Sequence, residues 1–215
     1  MCPHADSNLM KTISQARVQN ERRILKAAIE EFEQYGFSGS RMQRIADRAK
    51  LPKANIHYYF KNKTDLYTAV LNNIVSLWNK AFDRISVEDE PANALRGYIH
   101  AKLEYSQSNA AAARVFTNEI VSGAPHLKKY LKTDLRSWVT ERAGVIQQWA
   151  NLGKIDPINP YHLIFLIWGA TQHYADYHTQ VSAIMGKRKL DKCDYDEITN
   201  SLVEIILKGC GLKVR

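Results

Sequence analysis

Residues 24–71, ILKAAIEEFEQYGFSGSRMQRIADRAKLPKANIHYYFKNKTDLYTAVL, decide the fold. Ile24, Ala28, Phe32 and Tyr35 recur at i, i+4, i+8 and i+11, an apolar stripe that predicts a helix from about Val18 to Tyr35. Gly36 follows as a stop. Ser40 with Gln43 three residues on reads as a capping box, opening a second helix that buries Met42, Ile45, Ala46 and Ala49. Lys50–Leu51–Pro52 breaks that helix, and Pro52 suits the first turn of a short third one ending near Phe60. Two short helices on a tight turn have the size of a helix-turn-helix.

Ile45, Ala46, Ala49, Leu51, Ile56 and Phe60 are spaced to pack the two helices on each other and on the first. The outer surface of the second helix is then Lys53, Ala54, Asn55, His57, Tyr58 and Tyr59. Lys53 and Asn55 can reach base edges in a major groove, and Ala54 can touch a thymine methyl. The hydroxyls of Tyr58 and Tyr59, with Lys63, suit phosphate oxygens, which position without specifying. Arg41 and Gln43 project toward the same backbone from the start of the preceding helix, whose amides can also receive a phosphate.

Charge supports this reading. The chain of 215 residues carries a net +8, with 12 Lys/Arg against 7 Asp/Glu in residues 1–66 and 18 against 15 in the remaining 149. A basic first third on a nearly balanced remainder is the electrostatic footprint of a nucleic-acid-binding head.

Beyond the head every segment reads helical. Thr64 can cap a long helix to about Ile85, with Leu66, Val70, Ile74 and Leu77 or Trp78 on one face. Further helices are expected at about 91–108, 110–122, 125–152, 159–178 and 194–210, separated by Gly and Pro breakers. The expected class is all-α with about nine helices: residues 1–17 a flexible basic tail, 18–64 a three-helix DNA-binding head, 65–215 a ligand-binding and dimerisation body. The apolar faces of the last two long helices (Leu163, Ile167, Ala170 and Tyr174; Ile198, Leu202, Ile205 and Ile206) would pair two copies as a four-helix bundle.

The run over 24–71 resembles the N-terminal domain of the TetR family, in the succession of a helix, G-F-x-G-[ST], I-A-x-x-A and Y-Y-F-x-x-K-x-x-L. The resemblance departs at Lys50, where the family has Gly, and at Pro52, where it has a Ser or Thr cap. A non-glycine residue at position 50 is expected in a left-handed conformation, at about 1 kcal/mol. The stretches YIHAKLEYS, EIVSGAPHL and GKIDPINPYHLIFLIWGATQHYADY are similar to the pyrimidine-utilisation branch of that family, in which uracil or thymine bound in the body releases DNA. The resemblance implies a homodimeric repressor on a near-palindromic double-stranded operator, with uracil or thymine as effector. A dihydropyrimidine, a purine catabolite or a lipophilic compound is the alternative.

In the helix at 159–178, Trp168 and Gln172 lie one turn apart: an aromatic plane to stack on, and an amide that both donates and accepts. A small planar amide would use both. Trp78, Phe116 and Glu119 are further candidate walls. His173 and His178, five apart and so about 140° around one helix, diverge and make no metal site. No nucleophile–base order, glycine-rich phosphate loop or paired-carboxylate signature marks an enzyme or a cofactor site. Cys2, Cys193 and Cys210 form no C-x-x-C pair. The first 20 residues lack the apolar core of a signal peptide, and no apolar run could span a bilayer, so a cytoplasmic protein without a membrane partner is expected.

Overall fold

In the computed structural model, residues 4–80 and 82–213 are described. Every regular element among them is helical: α1 (His4–Gly39), α2 (Met42–Ala49), α3 (Lys53–Tyr59), α4 (Lys63–Asn79), α5 (Pro91–Ser108), α6 (Ala110–Val121), α7 (Lys128–Tyr130), a π-helical turn (Leu131–Leu135), α8 (Arg136–Asn151), α9 (Pro160–Asp176), α10 (His178–Ile184) and α11 (Lys192–Gly209). The all-α class is as expected, with the short α7 and α10 added. Of the expected tail, residues 1–3 and Cys2 among them lie outside the described residues, while α1 already begins at His4. The chain divides into two compact units, Met1–Asn73 and Ile74–Arg215, and α4 contributes to both.

In the first unit Ile24, Ala28 and Phe32 of α1 meet Ile45 and Ala46 of α2, Ile56 of α3 and Leu66 and Val70 of α4 in a buried core. Phe32 and Tyr67 meet edge to face at 4.8 Å. Gly36 supplies the positive φ of 62° that ends the regular part of α1. Two capping expectations are corrected. Ser40 does not cap α2: its hydroxyl donates back to the carbonyls of Glu31 (3.1 Å) and Gly36 (2.5 Å). Position 41 is the N-cap, and the Arg41 amide is satisfied by the buried Glu31 carboxylate at 3.2 Å. Likewise α4 starts at Lys63, where Asn62 Oδ1 accepts the Asp65 amide at 2.9 Å, so Asn62 and not Thr64 is the cap. The helix ends at Asn79, short of Ile85.

The second unit is built around α9, which packs on α5, α6, α8, α10 and α11. Its core holds Phe82, Leu95, Tyr98, Trp149, Leu163, Ile167, Ile198 and Leu207, with Phe82 and Tyr98 stacked at 4.1 Å. Asn159 caps α9 ahead of Pro160, and Asp191 with Asp194 forms a reciprocal capping box on α11. The helix expected over 125–152 is interrupted: the π turn at 131–135 separates α7 from α8. Of the side chains expected to pair two copies, Leu163, Ile167, Ile198 and Ile206 are buried within the chain, whereas Ile205 is exposed, as are Phe165 and Leu166 of α9.

Candidate functional site

The head and the body each carry a candidate site. On α3, Lys53, Ala54, Asn55, His57 and Tyr58 are exposed, Tyr59 is half-buried and Ile56 is inside. The outer surface is therefore the one the sequence pattern assigned. Tyr58 is 73% exposed and meets the Tyr59 ring edge to face at 5.2 Å, which props both rings at the helix end. His57 Nδ1 lies 3.2 Å from the Lys61 carbonyl. Arg41 and Gln43 are exposed at the start of α2, Gln43 donating to Asp47 at 2.9 Å.

Three interactions hold this surface from behind. Glu31, fully buried, accepts from Arg44 Nε at 2.6 Å and lies 3.4 Å from Arg48 Nε, tying α2 to α1. Arg23 Nη2 donates to the carbonyls of Ala49 (2.7 Å) and Lys50 (3.2 Å), closing the end of α2. Lys50 takes the left-handed conformation (φ 53°, ψ 46°), so the expected cost of the missing glycine is present in the turn. Lys63 departs from its expected role. Its ammonium donates to the carbonyls of Phe37 (2.7 Å), Ser40 (3.1 Å) and Ser38 (3.3 Å) and lies over the Phe37 ring, so it braces the α1–α2 corner with the donors a phosphate would have used.

In the body, Trp78, Phe116, Trp168 and Gln172 converge on one cavity, joined by Val75, Tyr98, Lys102 and Leu135. These residues come from α4, α5, α6, the π turn and α9. Trp78 packs edge to face on Phe116 at 4.7 Å. Trp168 Nε1 donates to the Tyr98 hydroxyl at 2.6 Å, which fixes its ring. Burial holds the Tyr98 hydroxyl protonated, well above the usual phenol range. Gln172 Nε2 reaches Thr117 Oγ1 at 3.4 Å, and Thr117 donates to Asp176 Oδ2 at 2.9 Å. Burial raises the Asp176 carboxyl, against the opposing pull of Thr117, Arg114, Lys102 and His173. The inner space of the cavity is about 40 Å³. It shares Phe116, Leu135, Trp168 and Gln172 with an apolar chamber of about 410 Å³ that also touches Ile120, Leu131 and Tyr177.

Glu119 is not a wall of either space. It is 3% exposed, and its carboxylate accepts from the His126 amide at 2.6 Å and faces His126 Nδ1 at 3.2 Å, pinning the α6–α7 loop. Lys102 is the residue the sequence pattern missed. It is 4% exposed, its Nζ sits 4.2 Å over the Trp78 ring, and desolvation lowers its ammonium to about 7. A single lysine in the helix over 91–108 reads as a solvated charge, and nothing local says that it turns inward.

A small helical head with an exposed recognition helix, and a helical body enclosing an aromatic and amide-lined cavity, define a ligand-responsive helix-turn-helix regulator. Residues 24–70 match the bacterial regulatory proteins of the tetR family, and residues 71–213 match the C-terminal region of YcdC-like protein. The chain belongs to the TetR family of transcriptional regulators and is not an enzyme. It is 38% identical to the HTH-type transcriptional regulator RutR of Escherichia coli strain K12, over 91% of this chain and 92% of that one. It is 25% identical to the HTH-type transcriptional repressor NicS of Pseudomonas putida strain KT2440, over 86% and 90%. The fold is similar to that of AibR solved with isovaleryl coenzyme A and operator DNA, with a TM-score of 0.64, 18% identity and coverage of 86% and 97%. Among the described residues no helix is long and apolar enough to cross a membrane.

Proposed function

We propose that this regulator is a cytoplasmic homodimeric repressor released from a near-palindromic operator when a pyrimidine-like metabolite, uracil or thymine, occupies the cavity of Trp78, Phe116, Trp168 and Gln172. The observation that carries the reading is the convergence of Trp78, Phe116, Trp168 and Gln172 on one cavity that adjoins a space of about 410 Å³. One wall, Trp78, stands on the helix whose first residues belong to the head, so a ring held against it bears on that helix. Ligand-bound and ligand-free states therefore differ in the placement of α4, and the ligand biases the equilibrium by its difference in affinity for the two. The likeness to RutR over nearly the whole chain supports a related effector.

In the DNA-bound state Lys53 and Asn55 read base edges, and Ala54 meets a thymine methyl. Arg41, Gln43, His57, Tyr58 and Tyr59 hold the backbone. Two heads of one dimer fall in successive major grooves, about 34–36 Å apart. A sensor of a bulkier lipophilic compound is favoured by one observation, the adjoining apolar chamber.

Thermal melting with uracil, thymine, dihydropyrimidines and fatty acyl compounds, followed by operator-binding titrations with the hits, tests the reading. Uracil or thymine should raise the melting temperature and weaken operator binding, and Gln172→Ala should abolish both effects while leaving DNA affinity intact. Stabilisation by acyl compounds alone would move the assignment to the lipophilic reading.

A further inference from the structure

The cavity contains a buried lysine amine and a second donor that the protein leaves without acceptors. Lys102 reaches it from α5, buried, with its Nζ 4.2 Å from the Trp78 ring centre and 5.9 Å from that of Trp168. Among the described residues it makes no ion pair. The charge whose field reaches it is Asp176 of α9, and that carboxylate is bonded through Oδ2 to Thr117 of α6. Trp78, 8% exposed, lines the same cavity, and its Nε1–H is buried without an acceptor. Asp176 Oδ1 is likewise buried without a hydrogen-bond partner. Tyr98 accepts from Trp168, Gln172 meets Thr117, Arg114 of α6 donates to the Ala175 carbonyl, and Glu119 is held by His126. Tyr105, on the same helix as Lys102, packs on Trp78 and is kept protonated by burial.

An unpaired buried ammonium is costly, and an aromatic face compensates it only in part. A neutral amide ligand would satisfy the donors but would leave the field of Asp176 as the one compensation for the ammonium form. We infer that the cavity selects flat rings that carry negative charge, cyclic imides in their anionic form, with Lys102 Nζ and the Trp78 Nε1–H both directed at the oxygen-bearing anionic edge. Lys102 is thus a specificity-determining residue of the effector site. The inference rests on the pyrimidine reading above and departs from its effectors: uracil and thymine, neutral at pH 7, are the weaker ligands and more acidic ring imides the stronger.

The balance of protons gives a test that needs no variant. Free Lys102, lowered to about 7, is mostly neutral at pH 8. An anionic ring restores the ammonium, so its binding at pH 8 takes up close to one proton, whereas at pH 6 it takes up almost none. Calorimetric titration of the full-length dimer with barbiturate and 5-nitrouracil, in buffers of differing ionisation heat, should show that uptake, and thymine should show little. Both acidic rings should bind at least 10-fold more tightly than thymine at pH 8. In Lys102→Met the preference and the uptake should vanish, while Asp176→Asn should keep the uptake. Thymine binding as tightly as the acidic rings, or acidic rings binding without proton uptake at pH 8, overturns the inference and leaves the pyrimidine reading standing. Failure of every ring to bind overturns both.

Discussion

Lys102 is a group whose protonation the fold opposes. Its folded-state value of about 7 lies below the ordinary 10.5, so between those limits the unfolded chain binds more protons than the native one. Stability of the ligand-free protein should therefore rise as pH climbs from 7 toward 10.5, by at most about 1.4 kcal/mol per pH unit from this residue. Urea midpoints at pH 7 and pH 9 measure the trend, and Lys102→Met should flatten it while making the protein more stable at pH 7. Lys50 is the second residue held against its preference. With φ at 53° it stands where glycine is at ease, so Lys50→Gly should gain roughly 0.5 kcal/mol after the entropy of a more flexible unfolded chain is subtracted. Equilibrium denaturation resolves that gain, and Lys50→Val should go the other way. The two residues differ in legibility. The conformation of Lys50 follows from the family resemblance, which has Gly in that turn, whereas the environment of Lys102 is made by α4 and α9, distant in the chain.

At the level of elements, periodicity and breakers placed most of the helices. Those over 91–108, 110–122 and 159–178 lie within two residues of α5, α6 and α9, and Pro91 and Pro160 stand at the first positions of two of them. Caps were harder, because several neighbouring side chains were chemically able to serve and packing chose among them. Ser40 and Thr64 were both suitable residues, yet Glu31 and Asn62 perform the work. Asn62→Ala should accordingly cost about 1 kcal/mol, while Thr64→Ala should be close to neutral, in a thermal or chemical melt. The candidate sites divide along the same line. The exposed face of α3 and the set of Trp78, Phe116, Trp168 and Gln172 follow from helical spacing and chemistry. Lys63 and Glu119 were misplaced because each turns to a partner through a loop whose path no spacing rule predicts.

For the whole molecule, Phe165 and Leu166 of α9 and Ile205 of α11 are exposed apolar side chains on two helices that pack on each other, the last 64% accessible. Burying such side chains against a second copy is what a two-headed regulator requires. Ile205→Asp with Phe165→Asp should yield a folded monomer by sedimentation and should weaken operator binding at least 10-fold, while each head keeps its own melting behaviour. The cavity and its adjoining chamber share a further property. Leu131 and Leu135, which line them, belong to the π turn between α7 and α8. A π turn holds one residue more than an α turn, so it marks an insertion accommodated inside a helix. Removing one residue between 131 and 135 would let the two helices fuse, with everything N-terminal to the deletion rotated by about 100° about the axis. Leu131 would leave the chamber wall in that single event. The size of the chamber is therefore set by chain length as well as by side-chain identity, and a lineage could change its effector by losing a codon where point substitutions would need several steps.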